Sequence, residues 1–413
     1  MNSDPIVILA ARRTPVGAFQ GVLGSKSAPE LGAAAIRAAL AEARIEPAEV
    51  DEVLMGCVLA AGLGQAPARQ AALGAGLGTA TAATTINKMC GSGMRAVMMA
   101  ADQLLAGASS GGANFGGTSS GGAKPGGVIV AGGFESMSNA PYLLPKARAG
   151  YRMGHQQALD HMLFDGLQSP WDGQLMGCFA DATAEKYGFT RTHQDEFAAE
   201  SLRRARAACE SGAFDGELTA VAVKTRAGET SVARDETPFA LDIAKIPSLK
   251  PAFKKDGSVT AASSSGISDG AAALVLMRES AARARGLEPI ARITGYASFA
   301  REPEWFTLAP VGAIERLLRR LDWRADAVDL YEINEAFAVV TMAAIRDLAL
   351  DPARVNVNGG ACALGHPIGA TGARILTTLI HALAARGLRR GVASLCIGGG
   401  EATAIAVELA SYV

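Results

Sequence analysis

The sequence has few aromatic residues and almost no net charge. Aromatic side chains make up 5% of its 413 residues, so the core must be built mainly from Ala, Val, Ile and Leu. Lysine and arginine (39) nearly balance aspartate and glutamate (40), and no basic block occurs. Nucleic acids and anionic membrane surfaces are therefore not expected as partners. No window of about 18 residues is free of polar interruption, so we expect no membrane-spanning helix.

Signals for secretion, disulfides and bound metal are also missing. The first apolar run has no positively charged segment before it and stops at Arg12 and Arg13, which is unlike a signal peptide. The six cysteines form no C-x-x-C pair, and the five histidines show no H-E-x-x-H spacing. We therefore expect free thiols and no metal site. A cytoplasmic enzyme is the expectation that follows.

Glycine, in contrast, is abundant, with 48 residues or about 12% of the chain against an average near 7%. The excess has no Gly-X-Y period, which excludes collagen, and the 49% hydrophobic content excludes global disorder. Nine of these glycines lie in residues 107–127, a low-complexity stretch. We expect this stretch to be a linker inserted at a surface helix–strand connection.

Apolar runs alternate with amphipathic segments, which predicts an α/β protein. Helices are predicted at 29–43, 91–106, 193–210, 310–321, 335–348 and 369–386. Strands are predicted at 6–11, 52–58, 127–131, 273–277, 291–296, 327–331, 354–357, 393–397 and 404–408.

The two halves of the chain repeat one order of elements. In each half, an acidic-flanked strand is followed about 35 residues later by a glycine-rich turn that enters a helix, and then by a strand ending in glycines. This order indicates a duplicated βα architecture, with halves at 1–285 and 286–413. Residues from about 138 to 262 have more charges and few apolar runs, which predicts an inserted, partly helical loop domain over the core.

Two residues at glycine-rich turns are candidates for catalysis. Cys90 directly precedes a predicted helix, where unpaired N–H groups and the helix dipole favour a thiolate. His366 is followed by Pro367, which restricts the backbone and hence the direction of the imidazole, as suits a general base. The alternatives are a small buried thiol for Cys90 and a structural histidine for His366.

Two further positions have weaker support from the residues alone. Cys396 lies at the end of an apolar strand, and Gly398 after it could offer an unhindered N–H to an oxyanion. Cys396 could equally be an ordinary buried strand residue. Asn334 lies in a polar break that leads into a helix, where an N-cap is the alternative to a catalytic role.

Taken together, five motifs resemble the thiolase family in their order and cover nearly the whole chain. They are Asn87-Lys-Met-Cys-Gly-Ser-Gly, Gly132-Gly-Phe-Glu-Ser-Met, Asn334-Glu-Ala-Phe-Ala, Gly365-His-Pro-Ile-Gly-Ala-Thr-Gly and Cys396-Ile-Gly-Gly-Gly. The resemblance implies a duplicated five-layered α-β-α-β-α fold with a loop domain. It also implies thiolytic or Claisen chemistry on acyl-CoA, with CoA thioesters as substrates and no tightly bound cofactor.

The resemblance assigns a role to each catalytic candidate. Cys90 would take the acyl group as a thioester, His366 would remove its proton, and Cys396 would exchange the proton at the α-carbon. Asn334 would hold a water that forms one oxyanion hole with His366. The N–H groups of Cys90 and Gly398 would form the other.

The resemblance also implies a pocket for the pantetheine arm of CoA and for the acyl group. Its residues would be Ser265, Phe253, Met176, Ala336, Phe337 and Phe306. Three departures from the family concern this pocket. Leu175 stands where many short-chain members have histidine, Phe306 replaces a common methionine and should narrow the acyl pocket, and Glu236 lies in a loop that often has an arginine near the CoA nucleotide.

The expected activity is that of an acetyl-CoA C-acetyltransferase, which interconverts two acetyl-CoA with acetoacetyl-CoA and CoA. A 3-ketoacyl-CoA thiolase of broader chain length, in fatty-acid degradation, is the alternative within the family. A non-catalytic acyl-CoA or lipid-binding protein is a remote alternative, because all four catalytic side chains are present. A decarboxylative ketoacyl synthase is disfavoured because no motif supplies a second active-site histidine. The family further implies a homodimer or homotetramer.

Overall fold

The computed structural model of the chain describes residues 4–107, 127–226 and 228–410. Apart from its two terminal glycines, the stretch predicted as an inserted linker lies outside these residues. The helices are α1 Ala28–Ala43, α2 Pro67–Gly74, α3 Ser92–Ala106, α4 Met176–Tyr187, α5 Arg191–Glu210, α6 Glu279–Ala284, α7 Ala309–Leu321, α8 Ala338–Asp347, α9 Ala361–Leu364 and α10 Thr371–Ala385.

The strands are β1 Ile6–Arg13, β2 Gly17–Ala18, β3 Val50–Gly56, β4 Ala82–Ile86, β5 Val128–Ser136, β6 Tyr142–Leu143, β7 Leu159–Asp160, β8 Val221–Thr225, β9 Gly228–Val232, β10 Ser268–Arg278, β11 Ala291–Ala300, β12 Leu330–Ile333, β13 Arg390–Ile397 and β14 Glu401–Leu409. The main sheet has the order β12-β13-β14-β11-β1-β10-β5-β3-β4, with β2 paired to β10. Among the described strands, those of the two halves pair with each other only where Val7 and Ile8 of β1 meet Arg292 and Ala291 of β11. The main sheet therefore consists of two smaller sheets, one in each half, that meet where β1 pairs with β11.

Both halves use the same strand pairing and crossover. In the N-terminal half, β3 and β5 are parallel and α3 connects the glycine-rich turn to β5; β5, β10 and β1 then pair antiparallel. In the C-terminal half, β12 and β13 are parallel and α10 precedes β13; β13, β14 and β11 pair antiparallel. This correspondence agrees with the duplication that the sequence predicted.

The core is arranged in five layers. Helices α1 and α2 cover the outer face of the N-terminal strands, where Ile36 and Val130 belong to one buried cluster. Helices α3 and α10 lie between the two sheets, in a cluster that contains both Leu276 of β10 and Leu395 of β13. Helices α7 and α8 cover the outer face of the C-terminal strands, where Leu317 is buried. The α-β-α-β-α expectation is therefore confirmed.

The region between 138 and 262 is partly helical, as predicted. It contains α4, α5, several 3-10 turns and the small hairpins β6–β7 and β8–β9. Helix α5 packs near α9, and the cluster between them includes Leu202 and Leu364. The region thus lies against the turn that precedes His366. Within the described residues, no helix has the length and apolar character needed to cross a bilayer.

The strand predicted at 354–357 is wrong. Pro352–Arg354 forms a 3-10 turn, Val355 makes one isolated bridge to Tyr331, and Asn356 has a φ of +48°. A positive φ is incompatible with a continuing strand. The sequence also failed to predict β4, α2 and α4, which lack strong periodicity.

Candidate active site

The glycine-rich turns of the two halves meet because their helices touch backbone to backbone. A Cβ added to Gly93 in α3 would lie 3.0 Å from the Gly369 oxygen, at the turn before α10. A Cβ added to Gly372 would lie 2.5 Å from the Met94 nitrogen. Only glycine permits such an approach. The buried N-termini of α3 and α10 therefore place Cys90 and His366, far apart in the chain, in one site.

Cys90 lies between the start of α3 and the end of β13. Met89 before it has a φ of +46°, and Gly91 after it is so close to Ile397 that a side chain there would collide. The backbone N–H groups of Gly398 and of Cys90 itself donate hydrogen bonds to the thiol, which lowers its pKa. These are the two groups that the sequence assigned to an oxyanion hole, and the structure brings them together.

Burial opposes the Cys90 thiolate that the sequence predicted. Burial raises the pKa of the Cys90 thiol to about 11, more than the two N–H donors lower it. Ile397 of β13 packs against Gly91, the residue next to Cys90, and such contacts from the second half of the chain add to the burial. At neutral pH the thiol is protonated, so it needs a base.

Cys396 is fully buried at the end of β13, beside Cys90. Burial raises the pKa of the Cys396 thiol well above its usual range, and the charge of an ionised Cys90 raises it further. The second thiol is therefore held protonated. A protonated thiol next to a nucleophile can serve as a proton donor.

His366 has the geometry of a neutral base. Its Nδ1 lies 2.6 Å from the Thr371 hydroxyl, which itself donates to the Pro367 carbonyl at 2.9 Å. Because the hydroxyl proton is used there, Nδ1–H must be the donor and Nε2 keeps its lone pair. Nε2 is buried without a partner among the described residues. Burial and the nearby charge of Arg374 lower the pKa of His366 to about 3, so the ring is neutral at pH 7.

Asn334 ends β12 with a free side-chain amide. Its backbone N–H donates to the Ser394 carbonyl at 3.0 Å, but both amide atoms are buried and lack a partner among the described residues. The alternative role as a helix N-cap is wrong, because α8 begins at Ala338 and Phe337 is its N-cap. The amide is therefore available to a molecule in the site.

The neighbouring Glu335 holds this turn in place. Its carboxylate accepts hydrogen bonds from the Ser201 hydroxyl at 2.7 Å, the Asn356 amide at 2.8 Å and the Cys362 N–H at 3.1 Å. With the outer side of the turn anchored by these bonds, Asn334 is kept in place without using its own side chain.

The residues predicted to line the pocket lie in one apolar cluster beside Cys396. The cluster includes Phe306, Ala336, Phe337, Met176 and Phe253. Phe253 and Phe337 meet edge to face, with ring centroids 5.8 Å apart, and Phe306 meets Phe179 in the same way at 6.3 Å. Ser265 joins them through its N–H and hydroxyl, both donated to the Ala336 carbonyl at 3.0 Å.

The chain matches family descriptions over almost its whole length. The family model for the thiolase N-terminal domain matches residues 6–280, and that for the thiolase C-terminal domain matches residues 287–409. The chain belongs to the thiolase family. The five-layered arrangement is accordingly the thiolase fold, and the resemblance seen in the motifs is confirmed.

Several relatives of this thiolase have names that state an activity. It is 48% identical to the acetyl-CoA acetyltransferase of Pseudomonas aeruginosa, over 97% of this chain and 98% of the relative. It is 49% identical to the acetyl-CoA acetyltransferase of Escherichia coli, with the same coverage.

Solved thiolase structures agree with the fold. The crystal structure of the Bacillus anthracis acetyl-CoA acetyltransferase superposes with a TM-score of 0.92 at 42% identity, covering 98% of this chain and 99% of that one. The Acat5 thiolase from Ascaris suum, solved in complex with coenzyme A, gives a TM-score of 0.89 at 40% identity, covering 98% and 100%.

The motif Gly132-Gly-Phe-Glu-Ser-Met contains an acidic residue whose role the motif itself does not indicate. Glu135 is fully buried in β5, and its carboxylate accepts the N–H groups of Val58, Leu59 and Gly369 at 2.9 to 3.0 Å. Burial raises the pKa of Glu135 to about 7. It connects the loop after β3 to the turn between His366 and α10. A glutamate in an otherwise small and apolar strand is the feature that could have revealed it.

Two other residues could not be found from the motifs. Thr371 orients His366, as described above, but a threonine at the first position of a helix is unremarkable in a sequence. Trp171 lies over the glycine turn after Cys396, since a Cβ added to Gly399 would be 3.7 Å from its ring. The indole is 65% exposed, so it forms an outer edge of the site.

The structure shows where two residues that depart from the family pattern, Leu175 and Glu236, are located. Leu175 is the N-cap residue of α4 and is 36% exposed, directly before Met176. Glu236 accepts the backbone N–H groups of Ala18 at 2.8 Å and Val22 at 3.0 Å. The Glu236 carboxylate thus fixes the loop after β1.

Proposed function

We propose that this thiolase is an acetyl-CoA C-acetyltransferase that interconverts two molecules of acetyl-CoA with acetoacetyl-CoA and CoA. The observation that supports it most strongly is that Cys90 lies with Cys396 and the Gly398 N–H, while the turn that follows His366, whose Nε2 is buried and unpaired among the described residues, packs against α3. One thiol serves as nucleophile and the other as proton donor. The names of the relatives at 48% and 49% identity support the acetyl group as the one transferred.

The first half-reaction, in the direction of thiolysis, uses all three groups. Nε2 of His366 takes the Cys90 proton, and the thiolate attacks the 3-keto carbon of acetoacetyl-CoA. The bond between the α-carbon and the 3-keto carbon breaks, leaving an acetyl group on Cys90. The departing acetyl-CoA enolate takes its proton from Cys396, whose high pKa keeps that thiol protonated for this purpose.

The second half-reaction restores the enzyme. The thiol of CoA loses its proton to the Cys396 thiolate and attacks the acetyl group. The Cys90 sulfur leaves and regains its proton from the imidazolium of His366, so acetyl-CoA is released and all protons are accounted for. The condensation is this sequence in reverse, since each step has the same transition state in both directions.

Two sets of hydrogen-bond donors stabilise negative oxygen during these steps. The N–H groups of Cys90 and Gly398 already point at the nucleophilic sulfur, so they suit the oxygen of the tetrahedral intermediate. Asn334, through a bound water, and His366 suit the thioester oxygen of the enolate. The free amide of Asn334 supports this second assignment.

The pantetheine arm would run along the apolar cluster to reach Cys90. We assign Phe253, Met176, Ala336 and Phe337 to its apolar contacts, and Ser265 to its polar contacts. CoA is then a substrate in both half-reactions, and the scheme requires no tightly bound cofactor.

Phe306 favours a small acyl group over the broader chain range of a 3-ketoacyl-CoA thiolase. It is 3% exposed and wedged edge-on against Phe179, within the cluster that contains Cys396. A fixed aromatic ring here leaves little room for a long chain. Comparing thiolysis of acetoacetyl-CoA and 3-ketooctanoyl-CoA tests this, and comparable kcat/KM values would favour the broader enzyme.

Intact-protein mass spectrometry after incubation with acetyl-CoA tests the mechanism directly. We expect one acetyl group, mapped to Cys90 by peptide analysis and removed by added CoA. The variant Cys90→Ala should not be acetylated, whereas Cys209→Ala, which removes a free thiol elsewhere, should behave like the original protein. If acyl-CoA binds but neither acetylation nor thiolysis occurs, the protein is a binding protein instead.

We also propose that the chain forms a dimer or tetramer in the cytoplasm, and that its halves divide at 285 and 286 with a loop domain at 138–262. Strand β4 supports the dimer, because it ends the sheet order with one edge unpaired among the described strands. A second copy could extend the sheet there. Sedimentation would test the assembly and cell fractionation the location. A role in fatty-acid metabolism would follow from this reaction, and the thiolysis assay described above tests it.

A further inference from the structure

A second cleft lies at the far end of the C-terminal sheet, away from the thiols. It has a volume of about 810 Å³ and is lined by residues of β11, α7, β13, β14 and the N-terminal strand. Arg390, which lines it, begins β13, whereas Cys396 is near the other end of the same strand. At about 3.3 Å per residue the two are about 20 Å apart. The cleft is therefore separate from the site described above.

The lining of this cleft is strongly cationic. It includes four arginines, Arg292, Arg320, Arg389 and Arg390, and one carboxylate, Glu408. Glu408 is shared, at 2.8 Å from Arg390 and 3.6 Å from Arg389. One carboxylate cannot neutralise two guanidinium groups, so the excess positive charge remains in the cleft.

The other two arginines leave donors free as well. Arg320 donates a hydrogen bond to the Tyr296 carbonyl at 3.4 Å, lies near the Tyr296 phenol, and forms no ion pair in the part of the chain that the structure describes. Arg292 pairs with Glu279 through one terminal nitrogen at 2.7 Å, while its Nε is buried without a partner among the described residues. The hydroxyl of Thr294, in the same strand, is also buried and unpaired among them. Buried donors of this kind are usually satisfied, so they indicate a missing acceptor.

The remaining wall of the cleft is apolar. Leu105, Ile293, Leu321 and Trp323 line it, and the Trp323 ring lies against Arg390 at 4.8 Å. Guanidinium groups bind phosphate oxygens in pairs, and an indole with aliphatic neighbours suits a flat ring system. The volume is within the usual range for a small-molecule site. A simple inorganic anion would leave this wall unused.

We propose that this cleft binds a nucleoside polyphosphate, with the phosphates on Arg292, Arg320 and Arg389 and the nucleoside against Leu321 and Trp323. A free nucleotide such as ADP and the nucleotide end of CoA both have this chemistry. The inference is independent of the proposed acetyl transfer, which concerns the opposite end of β13.

Isothermal titration calorimetry on the full chain tests the site, with ADP and adenosine 3′,5′-bisphosphate as separate probes. We expect one of them to bind, and the tighter one identifies the source. The double variant Arg320→Gln/Arg389→Gln should weaken that binding at least about tenfold, as expected for loss of charge-assisted hydrogen bonds. The variant Arg319→Gln makes the same charge change at the next residue of α7, outside the cleft, and should bind within about twofold of the original protein.

Three results would overturn the proposal. The first is that neither probe binds at millimolar concentration. The second is that Arg319→Gln weakens nucleotide binding as much as the double variant does. The third is that inorganic pyrophosphate binds as tightly as the nucleotide. Circular dichroism of each variant confirms folding. Thiolysis of acetoacetyl-CoA by the same preparations tests the proposed function separately, so the failure of either idea can be recognised.

Discussion

Two buried asparagines on neighbouring turns should respond to the same substitution in opposite ways. Asn334 has no side-chain partner among the described residues, whereas Asn356 makes three hydrogen bonds at 2.8 Å, to the Ile333 N–H, the Ile333 carbonyl and the Glu335 carboxylate. If Asn334 serves the reaction and Asn356 serves the fold, replacing each by alanine separates activity from stability.

The magnitudes follow from these contacts. Asn356→Ala removes three bonds worth about 1 kcal/mol each and leaves a buried carboxylate and a strand-end backbone pair underbonded, so we expect a loss of about 3 to 5 kcal/mol in the free energy of unfolding. Asn334→Ala removes two unpaired polar atoms, so stability should change by less than about 1 kcal/mol. Its loss of oxyanion stabilisation should lower kcat for thiolysis by about 100- to 1000-fold.

The assay pairs urea unfolding with steady-state thiolysis of acetoacetyl-CoA on the same preparations. For Asn334→Ala we expect a normal unfolding midpoint and a large fall in kcat. For Asn356→Ala we expect an early midpoint, with activity in the folded fraction reduced far less. The reasoning is refuted if Asn334→Ala keeps kcat within about threefold of the original, or if it unfolds as early as Asn356→Ala.

Three further predictions concern the same site. Thr371→Val should lower kcat about tenfold by freeing the tautomer of His366, whereas Thr377→Val, which removes a buried hydroxyl bonded only to a helix carbonyl, should not; equal effects would contradict the tautomer argument. Phe306→Leu should raise the ratio of kcat/KM for 3-ketooctanoyl-CoA over acetoacetyl-CoA by about tenfold, and an unchanged ratio would exclude this ring as the limit on chain length. Because His366 has a pKa of about 3 when folded and near 6.5 when unfolded, the unfolded chain binds more protons between these values; stability should fall as pH decreases through this window, and less steeply in His366→Asn.

Much of the fold could be predicted because its helices have strong local signals. The observed α1, α3, α7 and α10 begin and end within two residues of the predicted bounds, since amphipathic periodicity marks all four and glycines lie at or near both ends of α3 and α10. The strand predicted at 354–357 was wrong because an apolar pair, Val355 and Val357, suggested alternation across a turn. Strand β4 was not predicted because its alanines and threonines form no strong apolar pattern, and none of its five residues is fully buried.

Which residues form the site could be predicted from the sequence more easily than their protonation states. Motifs alone brought Cys90, His366, Asn334 and Cys396 into one hypothesis, because their order along the chain is specific. The state of each group depends on what covers it, and that is a tertiary property. Burial raises the pKa of Cys90, while the N–H of Gly398, some 300 residues away in the sequence, lowers it. No local pattern contains that information.

Glycine explains why the duplicated halves make one site and not two. Each half supplies a helix whose first turn contains a glycine, Gly93 in α3 and Gly372 in α10, and each glycine sits against the backbone of the other helix. This contact sets the helix N-termini together, so the nucleophile from one half and the base from the other are brought to the same site. Gly133 of β5 and Gly369 are also packed so closely that a side chain would collide. An alanine at Gly372 should therefore separate the two halves of the site before it disturbs either sheet, and activity should be lost before the fold is.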